Sequence, residues 1–138
     1  MPVTQNGFVS AQTLKTAYAV CDTANTDLDD SPTTVVALLT AGSNGAIVYA
    51  LKATPRATVA ATRLGLYLSK NGGATKRLVR QATMPAATVS TAAGAFSTDL
   101  GGFGETNPLR LEAGDMLYVD IGVSLAAGIV FDAEYEEL

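Results

Sequence analysis

The fold is decided by residues 109–138, LRLEAGDMLYVDIGVSLAAGIVFDAEYEEL, at the end of this 138-residue chain. Apolar and polar side chains alternate there with a period of two, which predicts β-strands that bury one face. One predicted strand places four apolar side chains on a single face: Leu117, Val119, Ile121 and Val123. A second strand does the same with Ile129, Phe131, Ala133 and Tyr135. Because only a short break separates them, we expect these two strands to form a hairpin.

The clearest alternation elsewhere lies in residues 62–70, where Leu64, Leu66 and Leu68 share one face. Residues 71–73, Asn-Gly-Gly, tolerate the positive φ of a tight turn, so a return strand is predicted over residues 74–83. Either Leu78 or Val79 can point inward in that strand, and the pattern leaves its register open.

Weaker strand patterns cover much of the remaining chain. We predict strands at residues 16–21, 33–39 and 46–53, the last two joined as a hairpin through a Gly-rich turn. A short strand is also expected at residues 109–111, before the Ala-Gly-Asp turn at residues 113–115. Residues 82–107 are rich in Ala, Thr, Gly and Ser, and because long structureless loops are uncommon in compact domains, we expect a strand near residues 87–96.

Eight or nine short strands with turn signals between them, and no convincing helix, predict an all-β fold. The expected architecture is an antiparallel β-sandwich, since that layout buries one face of each sheet. Residues 1–15 are mixed and polar and are predicted to be an extended N-terminal arm. Residues 16–138 are long enough for a single domain with its own core.

Composition excludes several classes of partner. The net charge of −4 argues against a nucleic-acid ligand, because such proteins concentrate Lys and Arg on one face. No stretch approaches the roughly 18 apolar residues that span a bilayer, and the N-terminus lacks the pattern of a signal peptide. Cys21 is the only cysteine, so we expect a small buried side chain there and no disulfide or Cys-rich metal site.

The sequence also offers little chemistry. Histidine is absent, which removes the usual general base and the usual metal ligand, so we expect no enzyme activity, no cofactor and no metal. The best carboxylate set for a hydrolase is Asp120, Asp132 and Glu134, all expected on a solvated sheet face. The acidic residues 22–30 miss the spacing of an EF-hand, so a surface loop is predicted rather than a calcium site.

The strand-Ala-Gly-Asp-strand piece at residues 109–119, followed by the last strand through Phe131, resembles the closing strands of jelly-roll domains. The whole chain is similar in architecture to the small head-decoration, or cement, proteins of tailed bacteriophages. That resemblance implies a virion protein, assembled in the host bacterial cytoplasm, that binds the outside of a capsid and bridges neighbouring major capsid proteins. It also implies a homo-oligomer, a dimer or a trimer. The alternative is a trimeric jelly-roll head that binds a receptor or a glycan.

Three segments are the predicted contacts with other proteins. They are the arm (residues 1–15), the long loop within residues 82–107 and the acidic tail (residues 135–137). The residues expected to make these contacts are Phe8, Val9, Phe96, Phe103, Tyr135, Glu136 and Glu137.

Overall fold

The structure is a computed structural model that describes residues 13–30 and 32–138. These residues form nine β-strands and no helix, which confirms the predicted all-β sandwich. The strands are β1 (Thr13–Cys21), β2 (Val36–Thr40), β3 (Ala46–Pro55), β4 (Thr62–Ser69), β5 (Arg77–Met84), β6 (Thr98–Asp99), β7 (Leu109–Leu111), β8 (Met116–Ile121) and β9 (Ile129–Glu137). Nothing in this part of the chain forms a helix that could cross a membrane.

The strands are divided between two antiparallel sheets. The first sheet has the order β1-β9-β3-β6, and β7 pairs with the same edge of β3 as β6 does. The second sheet has the order β2-β8-β4-β5. If β6 and β7 are taken as two pieces of one edge strand, this is the strand order of a jelly roll. The two strands of the C-terminal segment, β8 and β9, are therefore interior strands, one in each sheet.

Two predicted hairpins are wrong. β8 and β9 lie in opposite sheets, and so do β2 and β3, which makes both connections crossovers between sheets. The physical reason is that alternation shows only that one face of a strand is buried. Two consecutive strands can bury that face side by side in one sheet or from opposite sides of the same core, and in both cases the pattern is the same.

The predicted hairpin in the middle of the chain is confirmed. β4 and β5 pair antiparallel, and the turn between them uses Gly72 and Gly73 at φ of 73° and 95°. The register shifts between Leu66 and Tyr67, because Val79 is an extra residue on the β5 side. This bulge explains why the sequence pattern left the register of β5 open, since a bulge moves the following side chains to the other face.

The core lies between the two sheets. Side chains that are completely buried come from the interior strands of both sheets: Val48, Leu51, Leu64, Leu66, Leu117, Val119, Ile121, Ile129 and Phe131. The inward faces of β4, β8 and β9 are thus as predicted. Val123 differs, because it follows the end of β8 and is exposed. Cys21 is buried, as expected.

The segment between β5 and β7 does not contain the strand predicted near residues 87–96. It forms two isolated bridges, Val59 with Ala87 and Ser90 with Ala93, before the two-residue β6. Small side chains explain this outcome, because Ala, Thr and Ser offer too little apolar area to hold a full strand against the core.

β1 begins earlier than predicted. The strand runs from Thr13, so residues 13–15 pair with β9 instead of belonging to the predicted arm. Residues 1–12, which hold Phe8 and Val9, lie outside the described part of the chain. The arm contact predicted for these two residues therefore stays a prediction.

Candidate protein-binding surface

The outer face of the first sheet carries the most exposed apolar side chains on any strand of the described residues. Leu14 is 79% exposed and Tyr18 is 77% exposed, and both point away from the core on β1. They lie four residues apart on the same face of one strand, with Thr16 between them. Single exposed apolar residues are common on protein surfaces, but two on one strand face make a local apolar strip.

A groove of about 710 Å³ lies beside this strip. Its walls come from β1, β3 and β9 and from the loop before β7: Leu14, Lys15, Thr16, Tyr49, Glu105, Glu134, Tyr135 and Glu136. The lining combines apolar and tyrosine surface with three carboxylates. Such a mixture suits a polar or basic segment of another molecule better than a purely apolar one.

Two pairs fix the charges at this groove. The hydroxyl of Tyr49 donates a hydrogen bond to Glu136 Oε1 at 2.5 Å, which links β3 to β9. This hydrogen bond, together with burial, raises the pKa of Tyr49 because both favour the neutral phenol. Lys15 Nζ lies 3.0 Å from Glu137 Oε1, and the hydrogen bond between them raises the pKa of Lys15. Glu136 and Glu137 are therefore each bound by another side chain of the same molecule, whereas Glu134 on β9 is exposed.

The tail residues predicted as contacts have different environments. Tyr135 points into the sandwich and is buried in the core cluster, so only its edge reaches the groove. Glu136 and Glu137 are half-buried and already hydrogen-bonded or ion-paired. A partner that binds these two carboxylates must compete with Tyr49 and Lys15.

The two phenylalanines of the long loop also differ from each other. Phe96 is 93% exposed in the segment before β6. Phe103 packs against the core cluster, and the guanidinium of Arg80 lies 5.7 Å from the centre of its ring. Phe96 is thus available to a partner, whereas Phe103 anchors the loop to β5 through an apolar contact and a cation–π contact.

The carboxylates considered for a hydrolase do not come together. Asp120 lies on β8 in the second sheet, and Asp132 and Glu134 lie on β9 in the first. The expectation of a solvated face is wrong for Asp120, whose residue is only 1% exposed. Residues 22–30 cover this part of the second sheet, since Asn25 N donates to the Ile121 carbonyl and Lys76 N donates to the Asp30 carbonyl.

Asp120 is the centre of a buried polar cluster that the sequence did not predict. Arg63 donates two hydrogen bonds to its carboxylate, at 3.1 and 2.8 Å. Tyr67 donates a third at 2.9 Å and the side-chain amide of Asn25 a fourth at 2.7 Å. Burial and the bond to this carboxylate raise the pKa of Tyr67 to about 12. Three of these hydrogen bonds go to Oδ2 and one to Oδ1, and the bond from Asn25 makes the cluster a structural element that ties residues 22–30 to the sheet.

One signal in the sequence pointed to this cluster. Arg63, Tyr67 and Asp120 all lie on the outward faces of predicted strands, where the alternation places them. The sequence did not show that β4 pairs with β8. This pairing sets Gly65 opposite Asp120, and the absence of a side chain at Gly65 leaves room for the carboxylate. A Cβ at Gly65 would lie 2.3 Å from Asp120 Oδ1, so this glycine is required by packing.

The acidic loop does not assemble a cation site among its described residues. Asp27 Oδ1 accepts a hydrogen bond from the Asp29 backbone, and Asp30 forms a two-bond pair with Arg77 at 3.1 and 2.8 Å. No group of three acidic, histidine or cysteine side chains is arranged to hold a metal in the part of the chain that the structure describes.

The lone cysteine is held as a neutral thiol. Burial raises the pKa of Cys21 to about 12, and its Sγ donates to the Val119 carbonyl at 3.5 Å. A thiol with that pKa has very little thiolate at neutral pH, so Cys21 is a packing residue rather than a nucleophile.

Comparison with known proteins adds no family to these observations. No protein-family model matches the sequence, and no curated protein matches it.

Proposed function

We propose that this chain is a structural protein of a tailed-phage head that binds the outer surface of the capsid and bridges neighbouring major capsid proteins. One observation carries the proposal. Leu14 and Tyr18 are exposed on the strand that directly continues residues 1–12, beside a groove of about 710 Å³. Adjacent exposed apolar side chains mark a candidate site of contact with another protein.

The arrangement of polar groups supports a binding role over a catalytic one. The carboxylate of Asp120 is fully buried and accepts hydrogen bonds from Arg63, Tyr67 and Asn25, so a substrate has no access to it. The exposed carboxylates Asp132 and Glu134 lie on an open sheet face. Neither lies beside Asp120, which belongs to the other sheet, so the three carboxylates form no common site.

A cement role also fits a modest binding surface. Each copy needs only a weak contact with the shell, because many copies act together and a bridging copy binds its second capsid subunit at a high effective concentration. The exposed Phe96 lies at the opposite edge of the first sheet from β1. One copy therefore has contact points at two edges, as bridging requires.

Co-sedimentation with purified heads of the phage that encodes the protein tests this proposal. We expect the full chain to sediment with heads in a saturable manner, and deletion of residues 2–12 or Phe96→Ser to weaken this binding. Leu28→Ser is the matched control, because Leu28 is also exposed but lies over the second sheet. Absence of saturable binding by the full chain would refute the proposal.

The groove favours one second candidate, a head that binds a glycan. Tyr49 and Glu134 line it, and a tyrosine ring with a carboxylate acceptor beside it provides groups that hold sugar rings and hydroxyls. Binding of the full chain on a glycan array, lost in Glu134→Gln and Tyr49→Ala, would support this function. Binding that both variants retain would exclude the groove as the glycan site.

A further inference from the structure

β1 is an unusually open edge strand. It is nine residues long, and it pairs with β9 without a bulge from Thr13 opposite Glu137 to Cys21 opposite Ile129. Its sequence, TLKTAYAVC, contains no proline. Among the described residues β1 has a hydrogen-bonded neighbour on one side only. The other side presents a row of backbone N–H and C=O groups, which is a template for another strand.

The other three edges of the sandwich are protected. In the first sheet, the edge opposite β1 is divided into β6 and β7, of two and three residues. In the second sheet, β2 has five residues and a register shift between Ala37 and Leu39. β5 is bulged and exposes two cations, Arg77 and Arg80. Short strands, bulges and edge charges are the usual means of preventing edge pairing. β1 is neither short nor bulged, and its one charge, Lys15, is compensated by Glu137.

The charges of β1 make it complementary to itself. Its single charged side chain, Lys15, is already paired with Glu137 at 3.0 Å. Two β5 edges would bring arginines together, whereas two β1 edges in antiparallel orientation need not bring like charges together. A register centred on Thr16 sets Leu14 opposite Tyr18 of the partner subunit, and does so twice because of the two-fold symmetry.

We propose that β1 pairs antiparallel with β1 of a second copy of this chain, so that the two first sheets form one continuous sheet across a two-fold axis. The exposed Leu14 and Tyr18 become cross-strand neighbours in this dimer, which joins the two apolar strips side by side on one outer face. The backbone edge supplies the affinity and the side-chain pairs fix the register. Because the dimer forms without a capsid, its test does not depend on whether the chain binds phage heads.

Sedimentation velocity of the full chain over a range of concentrations tests the proposal. We expect a dimer in the wild type and a monomer in L14K/Y18K, because lysines directly opposite each other repel. Both replaced side chains are exposed, and an unchanged circular dichroism spectrum and melting temperature will show that the fold is retained. The matched control is L28K/V123K, which replaces two exposed apolar residues outside β1 and should remain dimeric.

Cross-linking gives the register. Thr16→Cys places two cysteines opposite each other at the two-fold axis, where facing Cα atoms are about 4.5–5.5 Å apart and within the range of a disulfide. We expect mild oxidation to give a covalent dimer of T16C but not of T83C, a matched cysteine on the edge strand β5. Cys21 is buried and should not contribute.

Four results would overturn the proposal. They are a monomer at all concentrations, a trimer, a dimer that survives L14K/Y18K, and a dimer that is lost when residues 2–12 are deleted. A trimer is incompatible because antiparallel pairing of identical edges closes at two copies. Loss of the dimer on deletion would assign the interface to the N-terminal segment instead of β1.

Discussion

Replacing Asp120 with asparagine tests whether the buried polar cluster stabilises the second sheet. The wild-type carboxylate accepts four hydrogen bonds, two from Arg63 and one each from Tyr67 and Asn25. Asparagine has nearly the same size, so D120N creates no cavity. It removes the negative charge and turns one acceptor oxygen into an NH₂ group that faces other donors.

The expected cost follows from the burial of the pair. Removing one partner of a buried ion pair costs about 3–5 kcal/mol, because the remaining charge is left without compensation. The side chain of Arg63 is 24% exposed and that of Asp120 is 0% exposed, so water can partly solvate the guanidinium. We therefore expect the lower end, a loss of about 3 kcal/mol in the free energy of unfolding. For a domain of this size, that corresponds to a fall of roughly 10 °C in Tm.

The measurement is urea unfolding at pH 7, followed by circular dichroism, for D120N and two companions. Y67F removes one of the four donors and should cost about 1–2 kcal/mol. D132N removes an exposed carboxylate and should stay within about 0.5 kcal/mol of the wild type. In an Arg63→Met background D120N should cost less, because the unpaired cation is gone. Equal free energies of unfolding for D120N and D132N would refute the structural role of the cluster.

Four further variants test the core, the thiol and the hairpin turn. Phe131→Ala should cost about 3–5 kcal/mol in urea unfolding, since the ring is fully buried between the sheets. Cys21 should resist thiol reagents at pH 8 until urea unfolds the protein. The pKa of Cys21 is raised from 9.0 to about 12, so the stability that the neutral thiol contributes is complete below pH 9 and is lost between pH 9 and 12. Cys21→Ala lacks this thiol, so its Tm should fall less over that pH range than the Tm of the wild type. Gly73→Ala should lower Tm more than Gly72→Ala, because both have positive φ but only at Gly73 would a Cβ lie 2.4 Å from the Tyr118 hydroxyl.

The sequence predicted the faces of strands better than their partners. Leu64, Leu66, Leu117 and Val119 point inward as their alternation required, because burial of one face is a property of the single strand. The sheet to which a strand belongs depends on contacts distant in sequence, and alternation carries no information about them. That is why the two crossovers, β2 to β3 and β8 to β9, were mistaken for hairpins.

The candidate surface was predictable only in part. Phe96 and Phe103 were predicted as contacts because they are large apolar residues in the long loop, but only Phe96 is fully exposed, and the apolar strip was not predicted. Leu14 and Tyr18 lie in a segment whose alternation is weak because Ala17 and Ala19 form its inward face. In the same way, the bulge between Val48 and Ala50 moves Tyr49 to the opposite face from Leu51, although simple alternation puts the two together.

The two proposals fit together geometrically. In a dimer centred on Thr16, Thr13 lies opposite Ala19 of the partner subunit, so the starts of the two β1 strands are six residues apart along the paired edges. At about 3.3 Å per residue, this places the two junctions with residues 1–12 about 20 Å apart, facing opposite directions. One dimer would then offer two identical attachment segments to two neighbouring capsid subunits. Because the second attachment is intramolecular once the first has formed, one dimer should bind a head much more tightly than a single unpaired copy does.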